Sequence, residues 1–438
     1  MRIKPVVVLL LLVLSGGLGV RAQTIKKRKI KKLISRSAVL NDHFMGFALY
    51  DMDNRQMVYE LNADKYFIPA SNAKLLTFYT CLKMLGDSIP GLQYVTHGDS
   101  LICWGAGDPS LLHRTLTGNA TVSFLSKTNK QLYFDTGRYQ NSFYGTGWAW
   151  DDYNEYYQPE INEWPLYGNT VRFRAGNDGK LEVSPRYFSD HLKCDSSYHP
   201  ALFTIKRDWT GNTFIYPPIP VPIGFEQEIP WKTSTALTLR LLQDTLKRPI
   251  GELNAPMPAD AKTIYNAKAD SVYQLMLQTS DNFIAEQLLL VCSASQFGVL
   301  NTDSIINYSL KTYLANLPDK PRWVDGSGLS RYNLITPRDM VSLLVQLPEL
   351  KDEQILRNML PAGGISGTLK DVYQTDNGQP FIWAKTGSVS NNYNQSGYLV
   401  TRKGKRLAFS FMNNNFNQPT APVRAEIARI MTYIHENF

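Results

Sequence analysis

Hydrophobic and polar positions alternate over Phe44 to Tyr50, break at Asp51-Met52-Asp53-Asn54, and resume over Met57 to Leu61. Period-two alternation around a polar turn predicts a β-hairpin. The period then changes. Pro69 stands where a first helical turn tolerates proline, and apolar residues recur at Leu75, Leu76, Phe78, Leu82 and Leu85. This predicts a buried helix with Gly86 as its stop. Residues 90–215 read as short strands divided by turns, such as Thr170 to Arg174 and Leu181 to Val183 across Asn177-Asp178-Gly179. Pro217, Pro218, Pro220, Pro222 and Pro230 predict a stiff extended connection after them. Helical periodicity returns over 234–246, 267–277, 283–291 and 337–347; 396–401 and 407–412 pair as strands, and a last helix covers 421–436. The pattern is one α/β domain, 23–86 and 231–438, split by a β-rich insert over 87–230. A chain of 438 residues is long enough for both.

The first 22 residues stand apart. Arg2 and Lys4 precede the apolar run Val6 to Leu14, and Val20-Arg21-Ala22 fits a small-x-small cleavage site, so residues 1–22 read as a secretory signal peptide. Export to the periplasm follows, and no later stretch is long and apolar enough to span a bilayer. The formal charge of +8 is concentrated at this end. Removing Arg2, Lys4 and Arg21 together with the seven cations between Lys26 and Arg36 takes +8 to −2. No basic body is left to bind nucleic acid. The segment 26–36 reads as a solvated helix face, with peripheral contact to a membrane surface or anionic polymer as the alternative. Cys81, Cys103, Cys194 and Cys292 form no C-x-x-C pair, and export permits disulfides without fixing a pairing. The six histidines lack zinc-site spacing; Asp325-Gly326-Ser327-Gly328 lacks calcium-ligand spacing, and Gly105-Ala106-Gly107 lacks the Gly-Lys-Ser/Thr of a phosphate loop. No metal or cofactor is expected.

Three stretches carry candidate chemistry. Ser71 and Lys74 form the single Ser-x-x-Lys of the chain, and they fall in the first turn of the predicted helix. Positions i and i+3 share a face, so the amine reaches the hydroxyl beside the exposed N–H groups of a helix start: a nucleophile with its base attached. Ser280-Asp281-Asn282 lies between two predicted helices, where Asp281 caps the second and Ser280 and Asn282 face one side. A second Ser-x-Asn, Ser390-Asn391-Asn392, stands too close to the next motif to form an independent wall. Lys385-Thr386-Gly387-Ser388 follows a strand over Phe381 to Ala384: a fixed cation, two hydroxyls, and a glycine that lets a substrate backbone lie alongside.

The ordered set S-x-x-K, S-x-N, K-T-G resembles the penicillin-recognising serine enzymes. Further strings narrow the likeness: Pro69 to Leu75, Gly105 to Leu111, Gly147-Trp148-Ala149-Trp150-Asp151-Asp152, Asp325 to Arg331, and Gly363-Gly364-Ile365-Ser366-Gly367-Thr368-Leu369. With these the chain is similar to the D-alanyl-D-alanine carboxypeptidase/endopeptidase family, the class C low-molecular-mass penicillin-binding proteins. The resemblance implies the serine transpeptidase/β-lactamase-like α/β fold, an antiparallel sheet with helices on both faces, split by the insert. It implies hydrolysis of D-Ala-D-Ala bonds and cross-links of peptidoglycan stem peptides through a Ser71 acyl-enzyme, and inhibition by β-lactams. Lys74 is then the base, whose amine burial and the Lys385 cation push down. Ser280 passes a proton to the leaving amine, and Asn282 holds the substrate amide. Lys385, Thr386, Gly387 and Ser388 receive the carboxylate end, with the Ser71 and Ser388 N–H groups as oxyanion hole. Asp151 or Asp152, with Arg331, are the candidates for holding the free end of the stem peptide. Two other readings are a serine β-lactamase and an inactive wall-binding module.

Overall fold

The computed structural model describes residues 27–139, 141–375 and 377–438. The signal peptide read from the sequence lies outside these. The chain divides into two units. One takes the chain up to Asn72, then Leu317–Arg322 and Asn333–Phe438; the other takes Ala73–Asn316 and Trp323–Tyr332.

In the first unit the alternation of 44–50 becomes the strand Phe44–Asp51, paired with Gln56–Leu61 on one side and Arg406–Asn414 on the other. Asn392–Val400 and Ile382–Val389 complete an antiparallel sheet of five strands, with Ile382–Val389 at one edge and Gln56–Leu61 at the other. Alternate residues of the first strand face opposite ways. Met45, Phe47 and Leu49 join a core with Ile427, Ile430 and Ile434 of the C-terminal helix Thr420–Asn437. Ala48 packs instead with Val341 of the helix Pro337–Gln346. The sheet therefore carries helices on both faces.

The basic segment is a helix over 27–35 whose Ile30 and Ile34, one turn apart, enter the first of these cores. Lys27, Arg28, Lys29, Lys31, Lys32 and Arg36 are exposed, which is the solvated face read from the sequence.

The second unit opens with the helix Lys74–Met84. It ends at an extended Leu85 before Gly86, so the chain stops without the left-handed glycine the sequence suggested. Its partner is Asn282–Phe297, buried on nearly every side. A helix with apolar residues on nearly every side must be enclosed. Among the described residues no single helix is long and apolar enough to cross a membrane. The side chains of Ser234 and Asp281 cap the helices that begin at Thr235 and Asn282, each such cap contributing about 1 kcal/mol.

The β-rich region forms three sheets. Thr170–Ala175 and Leu181–Ser184 pair across the predicted Asn-Asp-Gly turn, and Glu226–Pro230 joins them, so the proline-rich connection ends as a strand. The sheet containing Ser88–His97 draws Ile250–Leu253 and Lys262–Lys268 to its edges, so its strands extend past residue 230. In the Gly105 to Leu111 string, the buried Asp108 carboxylate accepts from the Ser110 N–H (2.8 Å), its hydroxyl (2.6 Å) and Asn266 (2.8 Å). That string is a folded turn.

All four cysteines carry free thiols, with Cys81 and Cys292 Sγ atoms 3.7 Å apart in the core of the second unit.

Candidate active site

Ser71 lies in a 3-10 turn, Ala70–Ala73, that runs directly into the helix Lys74–Met84. The turn is held from the sheet of its own unit. Asn394 Nδ2 donates to the carbonyls of Ile68 (3.0 Å) and Pro69 (2.9 Å), Asn414 Oδ1 accepts from the Ile68 N–H (2.6 Å), and Asn72 Nδ2 donates to Ser396 Oγ (2.8 Å). Ala70 adopts φ 47°, a conformation that costs an alanine about 1–2 kcal/mol, and these amides hold it there.

The third motif is not the end of a strand but its body. The strand runs Ile382–Val389, so Lys385, Thr386, Gly387 and Ser388 are all extended and paired with Asn392–Val400. The glycine also has a purpose that the sequence did not suggest. A Cβ on Gly387 would stand 3.0 Å from the Asn72 nitrogen and 3.1 Å from the Ser71 nitrogen, and would overlap the Pro69 carbonyl. Gly387 makes room for the turn that carries Ser71. Gly387→Ala is expected to displace that turn and lower the penicillin acylation rate by about 100-fold or more, with a fall in unfolding temperature. Stopped-flow acylation and thermal unfolding check both.

The strand's open side is set by register. The Ala384 N–H points away from the sheet, to the Pro361 carbonyl. With a period of two, the Thr386 and Ser388 N–H groups point the same way. Lys385 is buried, its Nζ donating to the Thr386 carbonyl (2.7 Å). Thr386 Oγ1 meets Thr368 Oγ1 at 2.7 Å, which gives the Gly363 to Leu369 string a place beside the motif; Ser388 is exposed.

In the second unit Lys74 is fully buried. Its Nζ donates to Asn282 Oδ1 (2.6 Å) and to the Ser327 carbonyl (2.7 Å). Burial pushes its pKa down from 10.5 to about 8, against the pull of Asp281, Asp325 and Glu286, which favour the ammonium. These three acids oppose the shift that burial drives. Ser280 is the left-handed residue (φ 61°) between the helices Ala269–Thr279 and Asn282–Phe297, and Asp281 caps the second through the Ile284 N–H (2.8 Å). Asn282 Nδ2 donates to the Tyr157 carbonyl (2.9 Å), and burial, then the Asp152 carboxylate, hold the Tyr157 phenol above its ordinary value. Asp152 is half-buried, whereas Asp151 and Arg331 are exposed. The rejected Ser390-Asn391-Asn392 forms the hairpin turn after the third motif.

Two acids that sequence reasoning passed over stand beside Lys74. Asp325 accepts from the Gly328 N–H (2.8 Å), the Ser330 N–H (2.6 Å) and Trp148 Nε1 (2.9 Å), so the D-G-S-G-L-S string is a loop wound round its own aspartate. Glu286 accepts from the backbone of the same loop. Its signal in the sequence was an acid inside a helix that is otherwise apolar from Phe283 to Val291 save for Gln287.

The fold and these residues define a penicillin-recognising serine enzyme. The model of the D-Ala-D-Ala carboxypeptidase 3 (S13) family matches residues 26–196 and 232–434. The chain belongs to that family and is a serine-type D-Ala-D-Ala carboxypeptidase. It is 21% identical to the D-alanyl-D-alanine carboxypeptidase DacB of Haemophilus influenzae, over 85% of this chain and 86% of that one. It is 24% identical to the D-alanyl-D-alanine carboxypeptidase of Actinomadura sp. (strain R39), over 87% and 80%. The crystal structure of penicillin binding protein 4 (dacB) from H. influenzae superposes with a TM-score of 0.74 at 18% identity, covering 93% of this chain and 99% of the other. A structure of that protein complexed with a β-lactam gives 0.67 at 17% identity, with the same coverage.

Proposed function

We propose that Ser71 is the nucleophile of a D,D-peptidase that acts in the periplasm on both the terminal D-Ala-D-Ala bond of peptidoglycan stem peptides and the D-alanyl cross-links between them. Ser71 Oγ attacks the carbonyl of the penultimate D-alanine as Lys74 takes the hydroxyl proton. The backbone N–H groups of Ser71 and Ser388 stabilise the oxyanion; losing one such donor costs about 10²–10³ in rate. Ser280 delivers a proton to the departing amine and regains one from the Lys74 ammonium, and the C–N bond breaks to leave the acyl-enzyme. Water then attacks the ester, returning the proton to Ser71. Lys385, Thr386 and Ser388 receive the substrate carboxylate. Asn282 donates its second amide proton to the substrate, since a carboxamide nitrogen carries two and Tyr157 takes one. Asp152 and Arg331 hold the free end of the stem peptide, with Asp151 at the rim. A β-lactam follows the same route and leaves Ser71 acylated.

The observation that carries this reading is the buried Lys74 amine, held by two acceptors on the helical turn after Ser71, with a pKa pushed down to about 8. Such a lysine is a base at neutral pH, whereas an ordinary one is not. The outward N–H groups of Thr386 and Ser388 support addition of an extended peptide along the strand. The test is to incubate the mature protein with monomeric pentapeptide muropeptides and with cross-linked dimers, and to resolve products by mass. Loss of one D-alanine from the monomer and conversion of dimer to monomers are both expected. Intact dimer would remove the endopeptidase half of the reading, and two unchanged substrates would remove it all.

A further inference from the structure

We propose that Glu286, which belongs to none of the three motifs, is a positioning residue for the general base: its carboxylate holds the 326–327 peptide whose carbonyl fixes the Lys74 amine. This rests on the reading of Lys74 as the base of Ser71.

Glu286 lies one turn beyond Asn282 on the same helix, so the two share a face. Asn282 accepts from Lys74 directly. Glu286 reaches the same amine at one remove. Its Oε2 accepts from the Gly326 N–H at 3.0 Å and its Oε1 from the Ser327 N–H at 2.7 Å. The Ser327 carbonyl then takes Lys74 Nζ at 2.7 Å. From the other side Thr77 Oγ1, one turn after Lys74 on its own helix, donates to the Gly326 carbonyl at 2.7 Å. The short 326–327 stretch is thus a strap between the two helices, and both its N–H groups and both its carbonyls are engaged. It sits so near the second helix that a Cβ on Gly326 would stand 2.8 Å from the Ala285 carbonyl. Two hydrogen bonds to one carboxylate are a stiff fastening, because ionised acceptors form the shorter and stronger bonds.

The carboxylate also acts through its charge. Glu286 is buried and its pKa is pushed up to about 7, first by burial and then by Asp325, against the pull of the Ser327 side chain and the two backbone N–H groups. Lys74 faces Asp281 at the head of Glu286's helix, Asp325 in the strap loop and Glu286 itself. Tyr139 is the further titratable group beside Glu286, and that carboxylate helps hold its phenol above the ordinary value. An ionised Glu286 favours the ammonium form of Lys74. Removing that charge lets Lys74 lose its proton at lower pH.

Glu286→Gln keeps the shape, removes the charge and leaves one carboxamide oxygen to serve two N–H groups. Two changes are expected in single-turnover acylation by a fluorescent penicillin, followed from pH 5 to 10. The plateau rate falls by about 10- to 100-fold, because the amine is less well placed. The midpoint of the ascending limb moves to lower pH, on the order of half a unit. Glu286→Asp keeps the charge with a shorter reach, so its plateau should fall while its midpoint stays. A merely structural glutamate would lower the folded fraction and leave the midpoint in place. A Glu286→Gln protein with wild-type plateau and midpoint overturns the proposal. Should that protein fail to fold, Thr77→Val decides the matter: a lowered plateau with an unmoved midpoint supports the strap, and an unchanged plateau overturns it. Lys74→Met is run alongside. Wild-type acylation by that variant would sink the assignment of the base itself, a failure distinct from any result at Glu286.

Discussion

Ser71→Ala is expected to lose penicillin acylation and D-alanine release by on the order of 10⁴-fold or more, with an unfolding temperature within about two degrees of wild type. The size of the loss follows from the chemistry. Without Oγ there is no acyl-enzyme, and what remains is a site that can bind substrate but cannot split one difficult step into two. The small effect on stability follows from the packing. The hydroxyl belongs to a half-buried side chain on a turn whose position is held by the amides of Asn394, Asn414 and Asn72. Purified variant and wild type compared by labelled penicillin on gels, by D-alanine assay and by thermal scan would settle it. Unchanged D-alanine release from the variant would end the assignment of the nucleophile, and with it every role given to the neighbouring groups.

What the sequence revealed was what lies close along the chain. Ser71 and Lys74 are three residues apart, so the helix period alone relates them. The Asp281 cap and the hairpin 44–61 are local in the same sense, and both formed as read. The third motif was legible as chemistry but not as structure. Lys-Thr-Gly-Ser has the composition of a turn, yet pairing with Asn392–Val400 and contact with the 69–72 turn keep it extended. Tertiary packing overrides propensity where a strand is built on its neighbours. Glu286 and Asp325 were invisible for another reason. Most of their partners are backbone N–H groups, in the case of Glu286 those of a loop 40 and 41 residues away, and backbone leaves no mark in the sequence. The acids around Lys74 went unread on the same account: Asp281, Glu286 and the 325 loop are not within reach of a spacing argument.

Lys74→Met should separate the chemistry of the base from its cost to the fold. Acylation is expected to fall about 10²–10⁴-fold, the range for a lost general base, and the ascending limb near pH 8 should vanish from the profile. Stability responds with its own sign. Lys74 titrates near 10.5 when unfolded and near 8 when folded, so between those values the unfolded chain binds more protons and wild-type stability rises with pH. At neutral pH the buried ammonium costs about 3 kcal/mol relative to a solvated lysine. Methionine removes that cost but leaves Asn282 Oδ1 and the Ser327 carbonyl without their donor, at about 1–3 kcal/mol each. The two terms oppose each other at pH 7, so the variant should fold with wild-type stability to within about 3 kcal/mol there. It should then lose ground to wild type as pH climbs from 8 towards 10, because the lysine becomes neutral at no further penalty while methionine gains nothing. Urea unfolding at pH 7 and pH 9.5 reads this difference directly. A wild-type protein whose advantage over the variant is the same at both pH values would mean that Lys74 keeps an ordinary pKa in the fold, and a lysine with an ordinary pKa is not the base of this enzyme.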